Sequence, residues 1–222
     1  MSERRESTVV NSASAIILAG GRSVRMGQPK ATLLLGGITL IERTVIELAR
    51  AEPACAFEDI VVVAAPESEA IELPALGGVT VVYDENAYQG PVGALARGLR
   101  AARHELAFAC SCDLPMLRSG VASWLLSLVG EGDDAVIPQV GERLQPLHAV
   151  YRRRCAGALD AMLARGERRL SAIADAVNSG ILARIISEAE YRRIDPDALS
   201  CFNINTPEDY ARAKTLHNPL DN

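Results

Sequence analysis

Several short stretches of this 222-residue chain concentrate residues able to do chemistry. In the first, Leu18-Ala19-Gly20-Gly21-Arg22-Ser23-Val24-Arg25-Met26-Gly27-Gln28-Pro29-Lys30, an apolar run stops at paired glycines and the cations Arg22, Arg25 and Lys30 follow. Glycines let successive backbone amides come close to an anion, and such amides form an anion-binding concavity. A guanidinium grips phosphate oxygens in a fork, while a lysine acts as a point charge. The string predicts a phosphate-binding loop, with a surface turn carrying solvated charges as the plain alternative. It has neither the residue order of a Walker A loop nor the glycine pattern of a dinucleotide fingerprint.

The second stretch, Phe108-Ala109-Cys110-Ser111-Cys112-Asp113-Leu114-Pro115-Met116, is an apolar run ending in a carboxylate, with Pro115 turning the chain away. A lone carboxylate at a strand's carboxyl end suits Mg²⁺, which takes its other ligands from phosphates and water. Asp113 could equally cap the turn that follows it. In Phe202-Asn203-Ile204-Asn205-Thr206, Asn203 and Asn205 are two apart, so on extended backbone both amides face one side. That side could hold a second substrate or the metal's outer shell; strand-end turn chemistry, with Asn205 orienting a helix cap at Thr206, is the other reading. Arg168 and Arg169 could hold a further phosphate or be solvated charges at a helix start. His148, in an apolar stretch, reads as a packed side chain rather than a base, His104 and His217 as exposed, and Trp124 as core.

These residues need a scaffold, and the chain alternates short β-branched runs with amphipathic segments, the pattern of a mostly parallel sheet covered by helices. Strands are predicted at Ala15–Leu18, Ile60–Val63, Val79–Val82, Leu106–Cys110 and Ala135–Ile137, with a late edge strand at Leu182–Ile186. Helices are predicted over Thr39–Ala51, Val92–Arg103, Ser119–Val129, Arg152–Ala164 and Thr206–Leu216. The last has a clear start, with Thr206 as cap, Pro207 at the first helical position and Glu208 and Asp209 in the first turn. A single domain over residues 13–216 follows, with 1–12 as a disordered lead-in and 217–222 as a tail. A net charge of −5 argues against general affinity for nucleic acid or an acidic membrane surface. No stretch is long and apolar enough to span a bilayer, and Met1 to Ser12 lacks the apolar centre of a signal peptide. The 5 cysteines, Cys55, Cys110, Cys112, Cys155 and Cys201, lack zinc-ligand spacing and read as reduced thiols in a cytoplasm.

Taken together, the glycine-rich string, the Cys-Asp-x-Pro of Cys112 to Pro115, Gly90-Pro91-Val92-Gly93, and Gln145-Pro146 with Ala149 and Tyr151 resemble the GT-A-like nucleotidyltransferases. The resemblance runs from about Ala15 to Lys214 and is nearest to the molybdenum cofactor guanylyltransferase branch. It implies a three-layer α/β/α, mostly parallel, Rossmann-like domain. It further implies that Leu18, Ala19, Gly20 and Gly21 contact the base and phosphates, that Lys30 holds phosphate, and that Arg25 neutralises departing pyrophosphate. On the same footing Asp113 binds Mg²⁺ and Asp84 contacts guanine. The implied reaction moves GMP from GTP to the terminal phosphate of molybdenum-molybdopterin, with molybdoenzymes or their maturation proteins as downstream partners. One departure concerns base choice: where that branch often has asparagine after the second strand, this chain reads Val63-Ala64-Ala65-Pro66. The cytidylyltransferase branch and sugar-1-phosphate nucleotidyltransferases share the chemistry, and a non-catalytic nucleotide-binding maturation partner is the alternative of a different class.

Overall fold

The computed structural model describes residues 12–20, 29–50, 57–66, 73, 76–84 and 90–217. Gly21, Arg22, Arg25 and Cys55 therefore lie outside the described residues, as do most of the expected lead-in and tail.

Every expected strand is present: β1 (Ala13–Leu18), β4 (Phe57–Ala64), β5 (Val79–Tyr83), β6 (Leu106–Ser111) and β7 (Ala135–Val140) are slightly longer than expected, and β10 (Ala183–Ile186) is one residue shorter. Between β1 and β4 a small hairpin pairs β2 (Leu34–Leu35) with β3 (Ile38–Thr39). Its turn uses Gly36 and Gly37, both at positive φ, as a tight two-residue hairpin requires. Two further strands were not anticipated, β8 (Arg143–Leu144) and β9 (His148–Arg152). The main sheet runs β10-β7-β9-β6-β1-β4-β5, with β8 paired on β7. Strands β5, β4, β1 and β6 are mutually parallel, β9 runs against both of its neighbours, and β7 and β10 return to the common direction. As expected, β10 forms an edge.

Alternate residues of β1 supply two cores. Ala13, Ala15 and Ile17 pack with Ile41, Val45 and Leu48 of α1 (Leu40–Ala49) and Ala122, Leu125 and Leu126 of α3 (Ser119–Ser127). Ile16 and Leu18 pack on the other face with Val92, Leu95 and Leu99 of α2 (Gly90–Ala101) and Leu159 and Met162 of α4 (Cys155–Ala164). A strand apolar on both sides is what a sheet covered twice demands, and the result is the three-layer α/β/α architecture. Helix α2 lies so close to the sheet that a side chain at Gly98 would run into the Ile16 and Val63 methyl groups.

The expected helix at Arg152–Ala164 begins at Cys155 instead, because Arg152 closes β9. Two short helices, α5 (Ala176–Ser179) and α6 (Glu188–Tyr191), flank β10. The last helix, α7 (Pro207–Leu216), starts as its sequence requires: Thr206 accepts from the Asp209 amide and Asp209 accepts from the Thr206 amide, a complete capping box. Trp124 is half-buried, edge-on to Tyr191, rather than fully in the core. His217 donates its amide to Ala213 and meets Arg43 through its ring, 3.1 Å away, and His104 meets the Ser12 hydroxyl at 3.2 Å. Among the described residues no helix is long and apolar enough to cross a membrane.

Candidate active site

The register of the parallel strands brings their carboxyl ends to one edge. Leu18 stands opposite both Val63 and Ser111, and Ala64 opposite Tyr83. The residues that follow, Ala19 and Gly20 after β1, Ala65 after β4, Asp84 after β5 and Asp113 after β6, are therefore neighbours along that edge. Backbone hydrogen bonds extend the ladder past the strands: Ala19 donates to Val63, Asp84 to Ala64 and Cys112 to Leu18. Gly20 lies so close to the backbone of Ala65 that an added Cβ would sit 3.4 Å from its nitrogen. The chain departs to opposite sides from β1, toward β4 on one and β6 on the other, and such a switch point is where open α/β sheets bind ligands.

Lys30 opens a single 3₁₀ turn after Pro29 and reaches back to this edge. Its ammonium lies 2.6 Å from Oδ2 of Asp113 and donates to Oδ1 of Asn205 at 2.8 Å. The pair is largely enclosed, with side-chain exposures of 20% and 14%, so solvent screens it less than an ordinary surface ion pair. The other carboxylate oxygen, Oδ1, accepts from the hydroxyl of Ser111. The backbone carbonyl of Asp113 accepts from the Ile204 amide at 3.0 Å, stitching the segment before α7 onto the loop after β6. Ile204 is fully buried, and Asn203 and Asn205 on either side of it are not, as alternation on extended backbone requires.

Lys30, Asp113 and Asn205 are thus gathered from three distant parts of the chain, and Leu18, Ala19 and Gly20 adjoin them through the β1–β6 ladder. Asp84 shares the edge, two strands from β1. Asn203 turns back, its amide nitrogen 3.4 Å from the Cys201 carbonyl, whereas Asn205 does more than orient a cap. The guanidinium of Arg169 sits on Glu167, whose carboxyl is drawn down to about 2 by that hydrogen bond and by the Arg169 and Arg168 amides. Arg169 lines a cavity of about 390 Å³ with Met162, Arg165 and Asp175. Arg168 lies beside Gly90, at the start of α2, its Cβ and carbonyl oxygen each 3.6 Å from where a Cβ on that glycine would stand. Neither arginine is seen to join the Lys30 cluster. Ala64 is the last residue of β4 and its methyl is buried, so no side chain there reaches the edge.

Comparison with known proteins adds a second, independent line. Residues 15–179 match the model of the MobA-like NTP transferase domain. The molybdenum cofactor guanylyltransferase of Desulfosudis oleivorans is 34% identical over 206 residues, covering 92% of this chain and 96% of that protein. The chain belongs to the MobA-like NTP transferase family. Among solved structures, molybdopterin-guanine dinucleotide biosynthesis protein A from Archaeoglobus fulgidus superposes with a TM-score of 0.73 at 24% identity, covering 91% of this chain and 97% of that one. The 2-C-methyl-D-erythritol 4-phosphate cytidylyltransferase of Thermus thermophilus does so at 0.63 and 21% identity, covering 92% and 98%. The fold is therefore shared by relatives named for different bases, and base choice in a MobA-like transferase has to be sought in side chains.

Ser111 escaped the sequence reading, although it closes β6 only two residues before the carboxylate. For a metal, this MobA-like site offers one carboxylate. Among the described residues no group of three or more His, Cys, Asp or Glu could hold an ion. Asp113 fits a hard cation that draws its remaining ligands from substrate phosphates and water, and its Oδ2 already holds one positive charge, that of Lys30. His148 is fully buried opposite Cys110 in the β6–β9 ladder. Burial pulls its imidazole down to about 4 against the raising influence of Asp195, and its Nε2 meets the Tyr191 hydroxyl at 3.0 Å. It is a packed side chain.

Proposed function

We propose that the protein transfers GMP from GTP to the terminal phosphate of molybdenum-molybdopterin, releasing pyrophosphate and forming the guanine dinucleotide cofactor. The observation that carries this reading is the 2.6 Å pairing of Lys30 with Asp113 at the switch point of the sheet, in a MobA-like transferase domain. In the reaction an oxygen of the pterin phosphate bonds to the α-phosphorus of the nucleotide. The bond from that phosphorus to the β-phosphate oxygen breaks, and its electron pair leaves with pyrophosphate. Catalysis of such a step is chiefly alignment and charge stabilisation.

The residues divide that work. Backbone amides around Ala19 and Gly20, on a rigid strand end, bind the nucleotide. Lys30 swings its ammonium from Asp113 to the phosphates, and Arg25 joins it on the leaving group. Mg²⁺, when bound by Asp113, supplies Lewis-acid neutralisation of phosphate oxygens. The Asp84 carboxylate selects guanine, since it can accept from the ring N1–H and the exocyclic amine together; Ala64 leaves that task to it. Asn205 faces the second substrate, Asn203 joins it by leaving the Cys201 carbonyl, and Arg168 and Arg169 hold its phosphate from outside the Lys30 cluster. The setting is cytoplasmic, where buried free thiols such as Cys110 and Cys155 stay reduced, and the product passes to a molybdoenzyme or its maturation proteins.

The test is pyrophosphate release from GTP, CTP and ATP side by side, with Mg²⁺ and molybdenum-loaded molybdopterin, and the product identified by mass. GTP is expected to be used fastest. Preferential use of CTP would make the protein a cytidylyltransferase, and no turnover with any nucleotide would make it a binding partner instead. Asp84→Ala should raise the KM for GTP about tenfold, as loss of paired hydrogen bonds to a base predicts.

A further inference from the structure

We infer that Ser111 is a positioning residue for the metal carboxylate, holding Oδ1 of Asp113 so that Oδ2 stays aimed into the site when Lys30 leaves it. The inference rests on the proposed metal role of Asp113.

The backbone of Asp113 is held from both sides: the preceding amide, of Cys112, donates to Leu18 at 3.1 Å, and the Asp113 carbonyl accepts from Ile204 at 3.0 Å. Its side-chain torsions are what remain free. Among the described residues each carboxylate oxygen carries one contact, the Ser111 hydroxyl on Oδ1 and the Lys30 ammonium on Oδ2. These contacts differ in permanence. Lys30 sits at the end of a long flexible side chain and is the group a triphosphate would draw away. Ser111 is the last residue of β6, in the middle of the sheet and in register with Leu18. Cys110 and Cys112 on either side of it are buried in the α1/α3 core, so Ser111, the last strand residue, faces the opposite side, and Asp113, in the turn that follows, brings its carboxylate back onto the Ser111 hydroxyl. A hydroxyl on a one-carbon stem at a fixed strand end cannot follow the ligand; it holds the carboxylate in one rotamer. Partners that orient a metal ligand in this way typically govern metal affinity by roughly ten- to a hundredfold.

The experiment uses the full chain and reads protein-held Mn²⁺ by the enhancement of water-proton relaxation over a protein-free Mn²⁺–GTP blank, with GTP present. GTP binding is measured separately in EDTA. Ser111→Ala is expected to weaken Mn²⁺ binding about tenfold and to leave GTP binding in EDTA unchanged. Turnover should recover at high metal concentration, so that the metal requirement rises while kcat holds. Ser111→Thr, which keeps the hydroxyl, should restore wild-type metal affinity. If Asp113→Ala loses Mn²⁺ while Ser111→Ala binds it as tightly as wild type, the role of Ser111 is overturned. An equal loss of GTP binding in EDTA would also overturn it, by marking the change as general damage to the edge. If Asp113→Ala binds Mn²⁺ normally, it is the metal role of Asp113 that fails.

Discussion

Asp113 carries different partners on its two oxygens, and that asymmetry organises the site. The ammonium of Lys30, 2.6 Å away, is a charge-assisted contact that a phosphate can take over on equal chemical terms. Replacing Asp113 with alanine should therefore cut turnover about a hundredfold or more while the circular dichroism spectrum stays that of the wild type, because the ladder around residue 113 is made by backbone atoms. Turnover retained in Mg²⁺ would take Asp113 out of the metal role. Lys30→Ala should weaken nucleotide use about tenfold or more, read as kcat/KM for GTP. An unchanged value would show that the loop binds phosphate without its lysine. Both residues were legible in the sequence, since each ends a motif of unusual composition. Ser111 was not, because a serine on a strand has many ordinary uses and only its distance from a carboxylate oxygen distinguishes it.

At the scale of elements, the strands that could be read in advance were short apolar runs without polar alternation, such as Ile60–Val63 and Leu106–Cys110. Strand β9 was missed because His148-Ala149-Val150-Tyr151 has one β-branched residue and runs through Arg152 into the helical pattern of α4 with only Arg153 and Arg154 between. What makes it a strand is a place waiting between β6 and β7, a tertiary preference that local propensity does not record. Glycines in helices show the same dependence on context. Gly98 in α2 faces Ile16 and Val63, whereas nothing lies within 4 Å of a Cβ placed on Gly157 in α4. Gly98→Val is expected to destabilise the protein by about 2 kcal/mol through overpacking, and Gly157→Ala to stabilise it by about 0.5–1 kcal/mol through helix propensity. Urea unfolding midpoints of the two variants should move in opposite directions; a Gly98 variant as stable as wild type would mean that α2 stands further from the sheet.

For the molecule as a whole, two buried titratable groups contribute to the response to acid. His148 has a folded-state value of about 4, below its ordinary 6.5, because burial penalises its charged form. The unfolded chain therefore binds a proton first, and stability should fall as pH drops from about 6.5 to 4, by as much as about 3 kcal/mol. Asp59 is buried too, which by itself would raise it. The Arg103 amide, the Ser14 hydroxyl and the Arg103 guanidinium outweigh that and leave it below the usual carboxylate value of 3.8. Its contribution is present above that value and is lost as pH falls through the folded one, extending the decline to more acid conditions. Denaturation followed across pH 4 to 6.5 should show a flatter profile for His148→Gln; an unaltered slope would assign the acid sensitivity elsewhere.

The bond from the Ile204 amide to the Asp113 carbonyl has a practical corollary for anyone trimming the protein. The stretch that matches the family ends at residue 179, yet Asn205 lies beyond it, and so do the apolar Ile204 and Ala213 that cover Leu33, Leu35 and Leu40. A fragment cut at that border would bare a greasy patch and an open strand edge on β7, and would clump rather than dissolve. A fragment meant for expression has to include α7, which ends at Leu216, and one corner of the lysine cluster is manufactured last on the ribosome.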